Sequence, residues 1–175
     1  MLNRAAALIV AAAVVAGTAC GSSTTPGPSK IVTFSANLTP GGEPAVTGNP
    51  TGSGTFTATL DTSTNAFTYN VTFTGLTTNA ILGHIHGPFP NGTATSAGVM
   101  LNFDPAVTPG VSFVGLKTAT SGTASGTVTL NAGTQFTGAR GDSLRKLLLA
   151  GLTYVNIHTS TNPAGEIRGQ IAIKQ

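Results

Sequence analysis

Thr55-Phe56-Thr57-Ala58-Thr59-Leu60, the turn Asp61-Thr62-Ser63-Thr64-Asn65, and then Phe67-Thr68-Tyr69-Asn70-Val71-Thr72-Phe73-Thr74 form the stretch that decides the fold. In both arms apolar residues alternate with Thr or Asn, and strand residues two apart share one face. Phe56, Ala58 and Leu60 therefore face one way, and Phe67, Tyr69, Val71 and Phe73 share a second apolar face. The short polar turn between the arms suits a hairpin.

Working outward, the same period recurs on both sides. Val32, Phe34, Ala36 and Leu38 alternate with Thr33, Ser35 and Asn37, so a domain begins near Ile31. Residues 39–50 are a turn-rich loop carrying Glu43-Pro44. After Gly75-Leu76, Ile81, Gly83 and Ile85 oppose Leu82, His84 and His86, and Gly87-Pro88 closes that strand. Further strands are expected at Val99 to Phe103, Val111 to Leu116, Gly126 to Leu130, Leu152 to His158 and Glu166 to Ile173. In the last of these Ile167, Ile171 and Ile173 are expected inward, with Glu166, Arg168 and Gln170 outward.

Helical spacing occurs only from Asp142 to Ala150, where Leu144, Leu147 and Leu148 fall at i, i+3 and i+4, Asp142 or Ser143 caps, and Gly151 terminates. Eight or nine short strands with one short helix predict an all-β fold: an antiparallel, Greek-key-like β-sandwich over residues 31–175.

Composition agrees with one domain. The chain has 175 residues, 40% hydrophobic, with 23 Gly and 10 Pro to supply turns. Its formal charge of +3 comes from few, scattered side chains with no aromatic interleaving, which argues against nucleic-acid binding.

The start of the chain reads as an address. Arg4 precedes an apolar run from Ala5 to Ala16, and Gly17-Thr18-Ala19 leads to Cys20, which predicts a signal peptide over 1–19. A sole cysteine at the cleavage point resembles a bacterial lipoprotein signal, although Gly17 stands where that family usually has Leu. The resemblance implies export, a lipid on Cys20, attachment to a bacterial membrane at the cell envelope, and a flexible tether over 20–30. Ordinary secretion is the alternative. One thiol has no partner for a disulfide within the monomer.

Several separated motifs share a family likeness. Ala36-Asn37-Leu38 with Glu43-Pro44, His84-Ile85-His86-Gly87-Pro88, Tyr154-Val155-Asn156-Ile157-His158-Thr159, and Asn162-Pro163-Ala164-Gly165-Glu166-Ile167-Arg168-Gly169-Gln170-Ile171 together resemble the CHRD domain, named after chordin. The likeness spans roughly Ile31 to Lys174. It implies a secreted or surface-associated module, and it assigns no catalytic residue.

All three histidines lie in those motifs. His84 and His86 share one strand face, as do Asn156 and His158 if Val155 and Ile157 are buried. Should the two strands be neighbours, three imidazoles converge as an open metal site suited to zinc or copper. The competing reading has the rings hydrogen-bonding loop backbone and pinning turns. A His-x-His strand on a sandwich is also similar to copper/zinc superoxide dismutases, but the further ligands of that family cannot be assembled here.

Glu166 and Arg168, two apart, are expected to pair with each other or with the preceding loop, and with Asn156 they are the polar residues available to support a site. Glu43, Asp61, Asp104 and Asp142 are dispersed through loops and form no obvious pair. With no complete catalytic constellation, the expectation is a non-enzymatic cell-envelope lipoprotein carrying a binding or structural domain without a cofactor. The alternative is a zinc- or copper-binding protein using His84, His86 and His158.

Overall fold

The computed structural model describes residues 30–90, 95–130 and 140–174. The expected signal peptide, Cys20 and all of the tether except Lys30 lie outside them. Ten strands and one helix follow in chain order: β1 (Ile31–Leu38), β2 (Ser53–Asp61), β3 (Ala66–Thr74), β4 (Ala80–His86), β5 (Val99–Asn102), β6 (Val111–Val114), β7 (Gly122–Thr129), α1 (Arg140–Leu149), β8 (Tyr154–Thr159), β9 (Ile167–Gln170) and β10 (Ala172–Ile173). No helix among the described residues is long and apolar enough to cross a membrane.

The hairpin forms as its alternation requires, with Phe56 opposite Val71 and Ala58 opposite Tyr69. Asp61 turns it, its Oδ1 accepting from the Ser63 and Thr64 amides. β2 and β3 sit at the centre of a six-stranded antiparallel sheet ordered β10-β1-β2-β3-β7-β6. A second sheet, ordered β5-β4-β8-β9, packs over it. β7 reaches β3 only after the chain has visited the other sheet, a Greek-key-like return.

Between the sheets lies one continuous core. Phe34, Leu38, Phe56, Leu60, Phe67 and Val71 from the larger sheet meet Ile85, Leu101, Phe103, Val155, Ile157 and Ile167 from the smaller. Tyr69 stacks on Phe103 with ring centroids 4.9 Å apart. Each fully buried side chain of this kind contributes about 1.5–3 kcal/mol, so burial on this face fixes which way every strand points.

Several elements differ from the expectation, among them β7, which starts at Gly122 rather than Gly126. The last strand breaks at Ile171, which stays in the core, and β10 crosses to pair with β1 at the rim of the larger sheet. Ile173 therefore lies exposed rather than inward. Helix α1 starts at Arg140, which places Asp142 in its first turn rather than at its cap. Gly151, at a φ of +69°, ends the helix as expected. Along β4 the register shifts between Ala80 and Leu82, and Ile81 is only half-buried.

Candidate metal centre

The histidines stand on β4 and β8, the two inner strands of the smaller sheet. Their direction is set by their neighbours. Ile85, Val155 and Ile157 are fully buried in the core, which turns the alternate residues to the other face. Gly83 shares the core side, where an added Cβ would lie 2.8 Å from Phe103 and 3.1 Å from Phe113. Its missing side chain lets those rings pack against the strand directly behind the histidines.

Register does the rest. His84 lies opposite Asn156, His86 opposite Tyr154, and Leu82 opposite His158. On the far side of β8, Asn156 faces Arg168 of β9. This outer face is nevertheless closed to water: His84 and His158 are each 6% exposed, Asn156 1% and Arg168 3%. Loops bring in the groups that meet it, with Glu43 ahead of β2, Phe89, Thr95 and Ala97 after β4, and Pro163 between β8 and β9.

The three imidazoles converge. Each offers a ligand nitrogen, and these atoms all lie within 4.8 Å of one another. Nδ1 of His84 and Nε2 of His158 are 3.0 Å apart. The other nitrogens of two rings are anchored: Nδ1 of His86 is 2.8 Å from the Ala97 carbonyl, and Nδ1 of His158 is 3.0 Å from the Pro163 carbonyl. A carbonyl only accepts, so both Nδ1 atoms carry the proton and both Nε2 atoms are left as lone pairs. Nε2 of His86 is buried with no hydrogen-bond partner among the described residues.

Burial sets the charge state. It pushes His84 down to about 3, with His158 and His86 adding to the effect. It pushes His158 down to about 4 against the pull of the Pro163 carbonyl. His86 is lowered by the same burial, opposed by the Ala97 carbonyl. All three rings are thus neutral near pH 7, the form that ligates metal.

A second layer stands around the rings. Asn156 Nδ2 donates to Glu43 Oε1 at 3.1 Å, and Asn156 Oδ1 lies 3.1 Å from His158 Nε2. Glu43 Oε2 is 3.7 Å from Arg168 Nη1, and Arg168 Nη2 donates to the Thr95 carbonyl at 3.2 Å. The guanidinium also covers the Tyr154 ring at 3.7 Å and the Phe89 ring at 4.1 Å. Tyr154 in turn stacks on His86, with centroids 4.7 Å apart and planes 7° from parallel.

The expected residues therefore assemble in part as foreseen. His84, His86, His158 and Asn156 come together on one face, and Arg168 joins them from β9. The Arg168 partner is Glu43, not Glu166, and the loop carboxylates are not all solitary. Glu166 turns instead to the Thr77 amide and hydroxyl, the Thr159 hydroxyl and the Asn162 amide. Burial pushes the Glu166 carboxyl up, but those donors outweigh it and hold the group below its ordinary value. It ties the β3–β4 loop and the end of β8 to the β8–β9 loop beside the site.

Glu43, Tyr154 and Phe89 were the residues sequence reasoning missed as site components. Glu43-Pro44 and Tyr154 did stand in the family motifs, but nothing in a turn-rich loop says which strand its carboxylate will reach.

Chemically the arrangement offers three buried, neutral imidazoles, two of which, His86 and His158, have their N–H groups held by backbone carbonyls, as the imidazoles of metal sites commonly are. In comparisons with known proteins, the CHRD domain family matches residues 34–171. No curated protein and no solved structure matches the chain.

Proposed function

Because the chain belongs to the CHRD domain family, matched over residues 34–171, we propose that it is a non-enzymatic binding module whose ligand is a transition-metal ion, zinc or copper, held by His84, His86 and His158. One observation carries this reading: three buried imidazoles present ligand atoms within 4.8 Å of one another while two of them are oriented by loop carbonyls. Ligands at about 2.0–2.1 Å from a tetrahedral ion are about 3.3 Å from each other, so modest ring rotations close the set. The enclosure favours retention of an ion over turnover of a substrate.

Metal analysis of protein purified without a tag tests this. Close to one equivalent of zinc or copper is expected after reconstitution, and loss of it in His84→Ala. Less than about a tenth of an equivalent in the parent protein overturns the reading, since real sites fill near stoichiometrically.

A second reading rests on the same anchored rings. His86 to Ala97 and His158 to Pro163 also pin the loops after β4 and β8, so the centre doubles as a structural clamp. If that were its whole role, His158→Ala would lower the melting temperature equally with and without chelator.

The leader supports an exported, lipid-anchored form with Cys20 as the modified residue. Cys20→Ser is expected to move the protein from the detergent phase to the aqueous phase on partitioning. Unchanged partitioning would sink the anchor and leave secretion.

A further inference from the structure

We infer that Asn156 is the fourth ligand of this centre, its amide oxygen completing a three-nitrogen, one-oxygen set for a divalent ion, and that Glu43 is the residue that positions it. The inference rests on the metal reading above and goes beyond the histidines to a residue on the strand between His86 and Arg168.

The argument begins with which end of the amide points where. Asn156 Nδ2 lies 3.1 Å from Glu43 Oε1, and a carboxylate oxygen can only accept. The amide nitrogen is therefore on the Glu43 side and Oδ1 on the other, 3.1 Å from His158 Nε2. That nitrogen bears a lone pair, because the His158 proton is committed at Nδ1 to the Pro163 carbonyl. Asn156 Oδ1 and His158 Nε2 thus face each other as two acceptors with no proton between them, in a site closed to water. His84 Nδ1, 3.0 Å from His158 Nε2, can donate to that nitrogen, but Asn156 Oδ1 is left without a donor among the described residues. A buried acceptor without a donor is costly, and a cation beside it removes the cost. The separation of Oδ1 and Nε2 is close to the roughly 3.3 Å expected of two ligands on one tetrahedral ion.

Backbone space is reserved for this pair. Gly165 has a φ of +135°, and a Cβ there would lie 2.0 Å from Glu43 Oε1 and 2.9 Å from Asn156 Nδ2. The glycine of the Asn-Pro-Ala-Gly-Glu segment is where the Glu43 carboxylate enters. Arg168 then holds the carboxylate from its other oxygen at 3.7 Å. The order Arg168, Glu43, Asn156, ion is a positioning relay of the kind that orients metal ligands elsewhere.

The donor set names the ion class. Three imidazoles with an amide oxygen suit borderline divalent ions, Zn²⁺ or Cu²⁺, better than a soft monovalent one. The Glu43 carboxylate, one side chain behind the ion, supplies negative charge without binding it directly.

The test uses the full chain, with Zn²⁺ in competition with a chromophoric chelator and Co²⁺ as a spectroscopic stand-in. Asn156→Ala is expected to weaken Zn²⁺ about 10- to 100-fold and to move the visible Co²⁺ bands. Glu43→Gln is expected to weaken Zn²⁺ about 10-fold while leaving the bands in place, since Asn156 still ligates. Should Asn156→Ala not fold, Asn156→Asp carries the same test: a charged oxygen on the ion moves the bands, and a side chain off the ion does not. Parental affinity and parental Co²⁺ bands in the Asn156 variant overturn the fourth ligand alone when His158→Ala still abolishes binding. A parent that binds no metal removes both the centre and this inference.

Discussion

The two sheets of the sandwich present outer faces built by the same alternation and put to opposite use. On the larger sheet Thr33, Thr59, Thr68 and Thr127 line up across β1, β2, β3 and β7, followed by Ser35, Thr57, Asn70 and Ser125. These side chains are exposed or half-buried, and cross-strand hydroxyl pairs form on this face, as Thr68 with Thr127 at 2.9 Å and Thr55 with Thr72 at 2.8 Å. On the smaller sheet the corresponding face carries His84, His86, Tyr154, Asn156, His158 and Arg168, and loops seal it. Polar groups facing water are cheap and interchangeable, whereas polar groups under a lid must each find a partner. The difference lies in the loops, not in the strands.

The largest effect should come from removing the cation that closes the lid. Arg168 joins Glu43, the Thr95 carbonyl and two aromatic rings in a setting where both charged side chains are 3% exposed. Arg168→Ala strips Glu43 of its countercharge, and breaking one side of a buried pair costs about 3–5 kcal/mol. Urea denaturation of metal-free protein measures it. A loss below about 1 kcal/mol, the scale of a surface pair, would show that the sealed face behaves like the open one.

Acid should separate the two faces next, since the hydroxyl face has nothing to titrate near neutral pH. Unfolded histidines take up protons near pH 6.5, but in the folded, metal-free protein His84 waits until about 3 and His158 until about 4. Below pH 6.5 the unfolded chain therefore binds protons that the folded one refuses. Stability falls as pH drops through that window, by up to about 1.4 kcal/mol per pH unit for each histidine. Glu43, whose carboxyl burial raises, works against this slope, and the lowered Glu166 adds to it at the acid end. With chelator present, melting followed from pH 7 to pH 4 should show a shallower dependence for His84→Asn than for the parent. Equal slopes would mean that the rings are not held neutral by burial.

The strands were legible because their evidence is local. Phe56 to Phe73 states its pairing in its own alternation, and Val155 and Ile157 turn His158 outward by burial alone. Whether outward means toward water is decided far along the chain. Asn156 meets Glu43 from 113 residues away, out of a loop with no periodicity to read. Arg168 was expected beside Glu166 because they are two apart. Instead Glu166 precedes β9 and is drawn off by Thr77, Thr159 and Asn162. Ile173 failed for a related reason: period two extends only as far as the strand does, and this one breaks at Ile171.

The smallest effect is the sharpest control. Thr57 sits mid-strand on the open face, exposed, between Ser35 of β1 and Asn70 of β3. Thr57→Val keeps the β-branched shape that a strand prefers and removes only a hydroxyl that water can replace. Its cost should stay within about 0.5 kcal/mol, with metal content unchanged. Arg168→Ala and Thr57→Val both remove an outward-pointing polar group from a sheet of the same sandwich. If chemical denaturation placed the two within experimental error of each other, the loops would not be sealing the smaller sheet. If they differ several-fold, outwardness in this fold carries two meanings, and only the loops distinguish them.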